Sequence, residues 1–264
     1  MPEDINGAFP ALPVPKAALV TGAGQRIGRA CALALADAGF AVAVHYRHSS
    51  KAAEDVVATI RGNGGKAMLL AADLADENAV MKLLPEATAV LGPIGVLVNN
   101  ASAFENDTID TATRAGWDAH LSVNLRAPFV LIQQFARLLP AEAGGAVVNL
   151  LDERVWSLTP YFVSYTVSKA GLWTLTQTMA MALAPRIRVN GIGPGPTVPS
   201  ARQSREQFIQ QCRSVPLRRG TSPGEIAAAL RFILAAPAMT GQMIALDGGQ
   251  HLGWAQPRHA YVIE

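Results

Sequence analysis

From Lys16 onward the chain alternates short, almost wholly apolar runs with longer segments of helical period, and this alternation leaves few folds open. The candidate strands are residues 17–20, 41–44, 67–70, 96–98, 146–150, 188–190 and 243–246. The candidate helices are 26–38, 51–63, 77–91, 111–138, 161–184, 203–212 and 223–235. Runs that are apolar at nearly every position, rather than at alternate ones, fit strands covered on both faces. The expected fold is therefore α/β: a doubly wound, Rossmann-type, seven-stranded parallel sheet flanked by helices on both faces. Residues 1–15 read as an N-terminal arm. Residues 16–264 read as a single domain, because no linker, repeat or break in composition divides them.

Composition narrows the function classes. Against 22 Lys and Arg stand 20 Asp and Glu, a net charge of +2, which supplies no basic field for tracking nucleic acid. The two cysteines, Cys31 and Cys212, lie far apart without a CxxC partner, so neither a disulfide framework nor a metal site is indicated and a reducing compartment fits. The start, Met1-Pro2-Glu3-Asp4, lacks the basic and apolar regions of a signal peptide. No apolar run approaches the roughly 18 residues that would span a bilayer. A cytoplasmic protein acting on a small molecule, with no nucleic-acid or membrane partner, is expected. The segment 161–184 carries Leu172, Leu175, Met179 and Met181 among small residues and is apolar around much of its surface. It and the long helix before it are expected to pack against another subunit, in a homotetramer or homodimer.

The first strand runs into Thr21-Gly22-Ala23-Gly24-Gln25-Arg26-Ile27-Gly28. Glycines at a strand-to-helix turn let the backbone approach a pyrophosphate, and the helix N-terminus turns free N–H groups toward it. At the end of the second strand, where an NAD-binding chain carries an acidic residue, stands His45-Tyr46-Arg47-His48-Ser49-Ser50. Tyr46, Arg47, His48 and Ser49 offer donors and a cation to a 2′-phosphate, so the expected cofactor is NADP(H).

Further along come Asp73-Leu74, Asn99-Asn100-Ala101, Asn124, Tyr165-x-x-x-Lys169 and Pro194-Gly195. With the glycine turn, their order and spacing resemble the short-chain dehydrogenase/reductase superfamily over nearly the whole chain. The resemblance implies that Asp73 and Leu74 lie at the adenine and that Asn100, Ala101 and Ser102 line the cofactor cleft. It also implies that Asn124 supports a proton-relay water, Lys169 holds the nicotinamide ribose, and the segment from Pro194 and Gly195 through Thr197 covers the nicotinamide. Independently of that, four positions separate Tyr165 from Lys169, which puts both on one helix face. An ammonium beside a phenol favours phenolate and is expected to lower the tyrosine's pKa.

Two departures from the superfamily pattern are informative: Arg26 replaces the usual middle glycine, and Asp152 in Leu150-Leu151-Asp152-Glu153 replaces the usual serine. Both look like the pteridine reductase and dihydrofolate/dihydromonapterin reductase branch, which shares Asn99-Asn100-Ala101-Ser102-Ala103-Phe104 and His45-Tyr46. An ionised Asp would repel the alkoxide that a ketone develops, whereas after hydride arrives at carbon of a ring C=N the neighbouring nitrogen needs a proton. Asp152 is then either a general acid of raised pKa or the partner that polarises Tyr165. Phe104 offers a face for a flat heterocycle, and by resemblance Ser102 and Arg26 also reach the substrate, under a lid at about 196–219.

The expected activity is NADPH-dependent hydride transfer to a C=N bond of a pterin- or folate-like substrate, with Asp152, Tyr165, Lys169 and Asn124 catalytic and no metal. Two alternatives stand beside it: an NADP(H)-dependent carbonyl reductase or alcohol dehydrogenase acting on a ketone, sugar or 3-oxoacyl substrate, and a non-catalytic dinucleotide-binding regulator.

Overall fold

A computed structural model describes residues 11–200 and 202–253. Seven parallel strands run in the order β3-β2-β1-β4-β5-β6-β7: β1 (Ala17–Val20), β2 (Ala41–Tyr46), β3 (Ala67–Ala71), β4 (Val96–Asn99), β5 (Gly145–Leu150), β6 (Ile187–Pro194) and β7 (Met243–Leu246). Side chains along each strand alternate between two cores. Leu19, Leu97, Val147 and Val189 pack beneath α3 (Glu77–Leu91), α5 (Ala127–Leu138) and α6 (Val163–Leu183). Ala18, Val20, Val98, Val148 and Ile192 pack against α1 (Arg26–Asp37), α2 (Ser50–Gly62) and α8 (Pro223–Ala235) on the opposite face. A sheet buried on both faces explains the unbroken apolar runs.

The strand order reverses direction between β1 and β4, so the loops leaving these strands diverge and open a crevice at their C-terminal ends. That topology, rather than any one residue, places the glycine turn, the Asn99-Asn100 corner and the loop after β5 around one cleft.

Three boundaries differ from the sequence expectation. The helix expected at 111–138 is broken into α4 (Arg114–Leu121), a π-helical turn Ser122–Arg126 and α5. Thr113 sets its start by accepting a hydrogen bond from Gly116 N, and Pro128 sits in the first turn of α5. Strand β6 runs to Pro194, well beyond the expected 188–190, because Gly191 and Gly193 continue its pairing where Cβ atoms would collide with Leu151 and Met243. Within the expected arm, the Pro13 carbonyl accepts from Gly144 N and Val14 packs on the core, so residues 11–15 are held against the start of the central strands β4 and β5; residues 1–10 lie outside the described residues, as does the tail from Trp254. No helix among the described residues is long and apolar enough to cross a membrane.

Candidate active site

The turn after β1 is tight by construction. Gly22 has φ +61, a conformation that side chains resist, and a Cβ on Gly28 would stand 2.2 Å from the Gly22 carbonyl oxygen. Thr21 Oγ1 accepts from Asn100 N (2.9 Å) and Ala101 N (3.0 Å), while Asn100 Nδ2 donates to the carbonyls of Thr21 (2.8 Å) and Gly22 (3.1 Å). His45 closes the turn from beneath: Nδ1 accepts from Gly22 N (3.1 Å) and Nε2 donates to Ala72 O (3.2 Å). Burial pulls its pKa from 6.5 to about 4, so the imidazole works as a neutral buttress. Helix α1 begins after Gln25 with no side-chain cap and no acidic residue in its first turn. Its leading N–H groups and positive dipole end therefore suit an anionic group such as a dinucleotide pyrophosphate.

Gly24 is buried and Gln25 exposed beside this opening, and Ile27 turns inward against the core. Arg26 occupies the left-handed region at φ 53, where a glycine is at home, and its guanidinium donates to the carbonyls of Val198 and Pro199, both at 2.8 Å. It thus ties the segment expected to form the lid to the glycine turn. At the end of β2, Arg47, His48 and Ser49 are exposed, and Tyr46 is partly packed on the core. Arg47 stands 3.7 Å from Asp73, whose carboxylate also accepts from Ala75 N. Leu74, expected at the cofactor, is only 6% exposed and belongs to the core, so its side chain is spent on packing.

The π-turn before α5 carries Asn124 into the cleft wall. Its side chain uses all of its hydrogen-bonding capacity: Oδ1 accepts from Ala103 N (2.8 Å) and Ser102 Oγ (3.2 Å), and Nδ2 donates to Ala103 O and Ser168 Oγ, both at 2.9 Å. It clamps the loop after β4 to α6, and its side chain keeps no atom free to bind a relay water.

After β5 the backbone stays extended at Asp152, which caps a short 3-10 turn, Glu153–Val155. Asp152 Oδ1 accepts from Arg154 N (3.0 Å) and Arg154 Nη1 (3.1 Å); Oδ2 accepts from Arg154 Nη1 (3.2 Å) and from the Tyr165 hydroxyl at 2.7 Å. All four contacts are donors, so the carboxyl serves as an acceptor and the phenol keeps its proton. Lys169 does not join this couple. Its Nζ donates to Leu150 O at 2.7 Å and lies 5.7 Å from the centre of the Tyr165 ring.

The electrostatics correct the sequence expectation for Tyr165. Burial, the Asp152 charge and the Asp152 hydrogen bond push its pKa well above 10, and Arg154 opposes them only in part. Burial draws Lys169 down to about 8, against the pull of Asp152. The phenol therefore holds its proton, with Asp152 as its hydrogen-bond partner.

Phe104 stands beside the hydroxyl. Its ring meets Tyr165 edge-on at 4.7 Å and stacks parallel to Phe162 at 4.8 Å. Ser102 is exposed on the loop leading to it, and Ala101 packs on the core. From the lid, Arg202 donates to Phe104 O (2.7 Å), pairs with Glu105 and lies over the Phe104 ring. The lid also contains α7 (Arg205–Ser214), started by a Ser204–Gln207 capping box. Behind Thr197, whose hydroxyl donates to Gly195 O, the chain passes so close to Asp247 that a Cβ on Gly195 would sit 2.7 Å from its Cα. Pro194 ends β6 at the same place.

Sequence reasoning missed four residues here: His45 as buttress, Arg154, Phe162 in the left-handed conformation (φ 57), and the buried Glu153. A signal existed for Arg154, since an Asp followed two positions later by Arg across a turn can pair locally. None existed for Phe162, whose partner lies 58 positions away.

The enoyl-(acyl carrier protein) reductase family model matches residues 22–251. The 3-oxoacyl-[acyl-carrier-protein] reductase of Synechocystis is 35% identical over 238 residues, 88% of this chain and 95% of that protein. The crystal structure of FolM alternative dihydrofolate reductase 1 from Brucella suis in complex with NADP is 46% identical, with a TM-score of 0.88 over 92% of this chain and 98% of that one. Its counterpart from Brucella canis, also with NADP, is 44% identical, with a TM-score of 0.86 over 93% and 98%. The chain belongs to the short-chain dehydrogenase/reductase superfamily, near its dihydrofolate reductase branch, and is an NADP-dependent oxidoreductase.

Proposed function

We propose that this protein reduces a C=N bond of a pterin- or folate-like ring with NADPH. The observation that carries the reading is the 2.7 Å bond from the Tyr165 hydroxyl to Asp152, a carboxylate where the superfamily's usual partner is a neutral hydroxyl. A carboxylate at this place disfavours a developing alkoxide, whereas hydride transfer to a ring C=N leaves a nitrogen for Tyr165 to protonate. The FolM likeness, closer in identity than that of the Synechocystis 3-oxoacyl reductase, supports the same choice.

In this reading NADPH, when bound, supplies the hydride. The glycine turn from Gly22 to Gly28 and the α1 N-terminus hold the pyrophosphate, Arg47 with its neighbours Tyr46, His48 and Ser49 meets the 2′-phosphate, and Asp73 faces the adenine. Asn100, Ala101, Ser102, Lys169, Pro194, Gly195 and Thr197 line the rest of the cofactor path. Phe104, stacked on Phe162, borders the substrate ring together with Ser102 and Arg26. Tyr165, kept protonated by burial, delivers the proton to ring nitrogen while Asp152 orients the hydroxyl. Lys169 and the Asn124 clamp fix that geometry. The protein works in the cytoplasm as a homotetramer or homodimer.

A second reading, reduction of a 3-oxoacyl thioester, is favoured by the Synechocystis relative. NADPH oxidation by the purified protein with dihydropterin, dihydrofolate, a 3-oxoacyl thioester and simple ketones separates the two. Turnover of the pterins or folates, reduced about 10- to 100-fold in Asp152→Asn by loss of a charge-assisted hydrogen bond, is expected. Turnover of the oxo compounds with none of the bicyclic rings overturns the proposal. A binding-only regulator would oxidise NADPH with neither class.

A further inference from the structure

We propose that Arg154 is the positioning residue of the proton-delivery couple: its guanidinium, wedged against the Phe104–Phe162 stack, holds the Asp152 carboxylate in line with the Tyr165 hydroxyl and balances its charge. The inference deepens the reading above and rests on it for the identity of the substrate, though not for the couple itself.

The geometry is specific. A single guanidinium nitrogen reaches both Asp152 oxygens, at 3.1 and 3.2 Å, and the Arg154 backbone N–H adds a third bond at 3.0 Å. The carboxylate can therefore turn neither about Cβ nor away from Tyr165 without breaking a charge-assisted bond. The arginine is itself confined. Its side chain is only 15% exposed, its guanidinium lies 5.1 Å from the Phe162 ring centre and 5.9 Å from that of Phe104, and the two rings are parallel to within 2°. Phe162 holds a left-handed backbone (φ 57), a strained state for a residue with a Cβ, and in that state its ring completes the stack. An arginine serving only solubility would not be walled in by two aromatic rings, one of them on strained backbone.

Lys169 is spent elsewhere, on the Leu150 carbonyl. The charged and titratable groups facing Arg154 are Asp152, Glu153 (Oε1 at 4.0 Å from Nη1) and Tyr165, with Asp247 beyond Glu153. Against burial and the Asp152 carboxylate, Arg154 is the cation that draws the Tyr165 pKa down. Removing it leaves the Asp152 carboxylate with no hydrogen-bonded counter-charge next to a phenol that must release a proton.

The test uses the full-length protein and whichever substrate class the wild type reduces. Arg154→Gln is compared with Arg154→Lys and with Asp152→Asn alone and combined with Arg154→Gln. Because Arg154 acts through Asp152, Arg154→Gln is expected to lower kcat about 10- to 100-fold with the KM for NADPH nearly unchanged, and to move the acid limb of the kcat/KM profile to higher pH. Arg154→Lys, which keeps a point charge, should restore most of both. In the Asp152→Asn background the same Arg154→Gln change should add less than about two-fold. Should Arg154→Gln fail to fold, the comparison of Asp152→Asn with the double variant still decides, since position 152 carries no charge in either. An unchanged pH profile, or a full additional loss in the Asp152→Asn background, overturns the inference. A wild type active only on oxo compounds, with these variants behaving as expected, overturns the pterin reading and leaves Arg154 in place. A wild type active on neither class takes down both.

Discussion

Glu153→Gln probes the charge cluster beside the site without altering any group that meets substrate. Glu153 is 2% exposed, its Oε2 has no hydrogen-bond partner, and its Oε1 is 4.0 Å from Arg154. Burial, then the Asp152 charge, raise its pKa from 4.5 to about 7; Arg154 pulls back and Asp247 adds to the rise. Because the folded-state value is raised, the unfolded chain releases this proton at lower pH than the folded one. The stability it contributes is therefore fully present below pH 4.5 and is lost as pH climbs through about 7. At about 1.4 kcal/mol per pH unit, the gap amounts to about 3 kcal/mol. Gln cannot ionise, so this loss should be missing from the variant. The measurement is urea denaturation of both proteins from about pH 4.5 to about pH 8.5, read as the difference in unfolding free energy between them. That difference should move by about 3 kcal/mol in favour of the variant, or roughly 6–12 °C in Tm for a chain of this size. The Gln amide brings a donor that also lacks a partner, a cost of about 1–3 kcal/mol that offsets the two curves by a constant and leaves their divergence intact. Curves that stay parallel across the range would refute the claim that Glu153 is held against ionisation by its surroundings.

Three other outcomes follow from particular residues. Arg47→Ala should weaken NADPH about ten-fold in KM and leave NADH nearly unchanged, since the exposed guanidinium at the end of β2 is the cation placed for a 2′-phosphate; equal losses for both cofactors would count against it. Arg26→Gly removes the two guanidinium bonds to the Val198 and Pro199 carbonyls, read as faster proteolysis of residues 196–219, while a glycine at φ 53 relieves about 1 kcal/mol of backbone strain and so limits the loss in Tm. Light scattering should report a homotetramer or homodimer, because Leu121, Leu125, Phe129 and Leu175 line an open hollow and Met181 is 76% exposed; a monomer at micromolar concentration would leave that face unexplained.

The sheet was legible because burial on both faces writes itself into every position of a strand, and the long helices because their period persists over many turns. What the chain order could not convey was choice among partners. Tyr165 and Lys169 do share a face of α6, as their spacing requires, yet sharing a face does not pair them. The Leu150 carbonyl lies within reach of the ammonium, and Asp152, just beyond the end of β5, lies within reach of the phenol. Each side chain took the partner that best satisfied it in a dry environment, and the phenol's acidity fell instead of rising. The same logic hid the π-turn: a 28-residue periodic segment suggested one helix, but the hydrogen bonds tying Asn124 to Ala103 and Ser168 require a local change of winding that no propensity scale encodes. Arg154 is the instructive case, because its distance in sequence from Asp152 is trivial and its significance is entirely in what surrounds it. On an exposed turn an Asp-x-Arg pair is worth little. Against two stacked rings, with one oxygen of the same carboxylate bonded to a buried tyrosine, that ion pair fixes the direction in which a proton can leave.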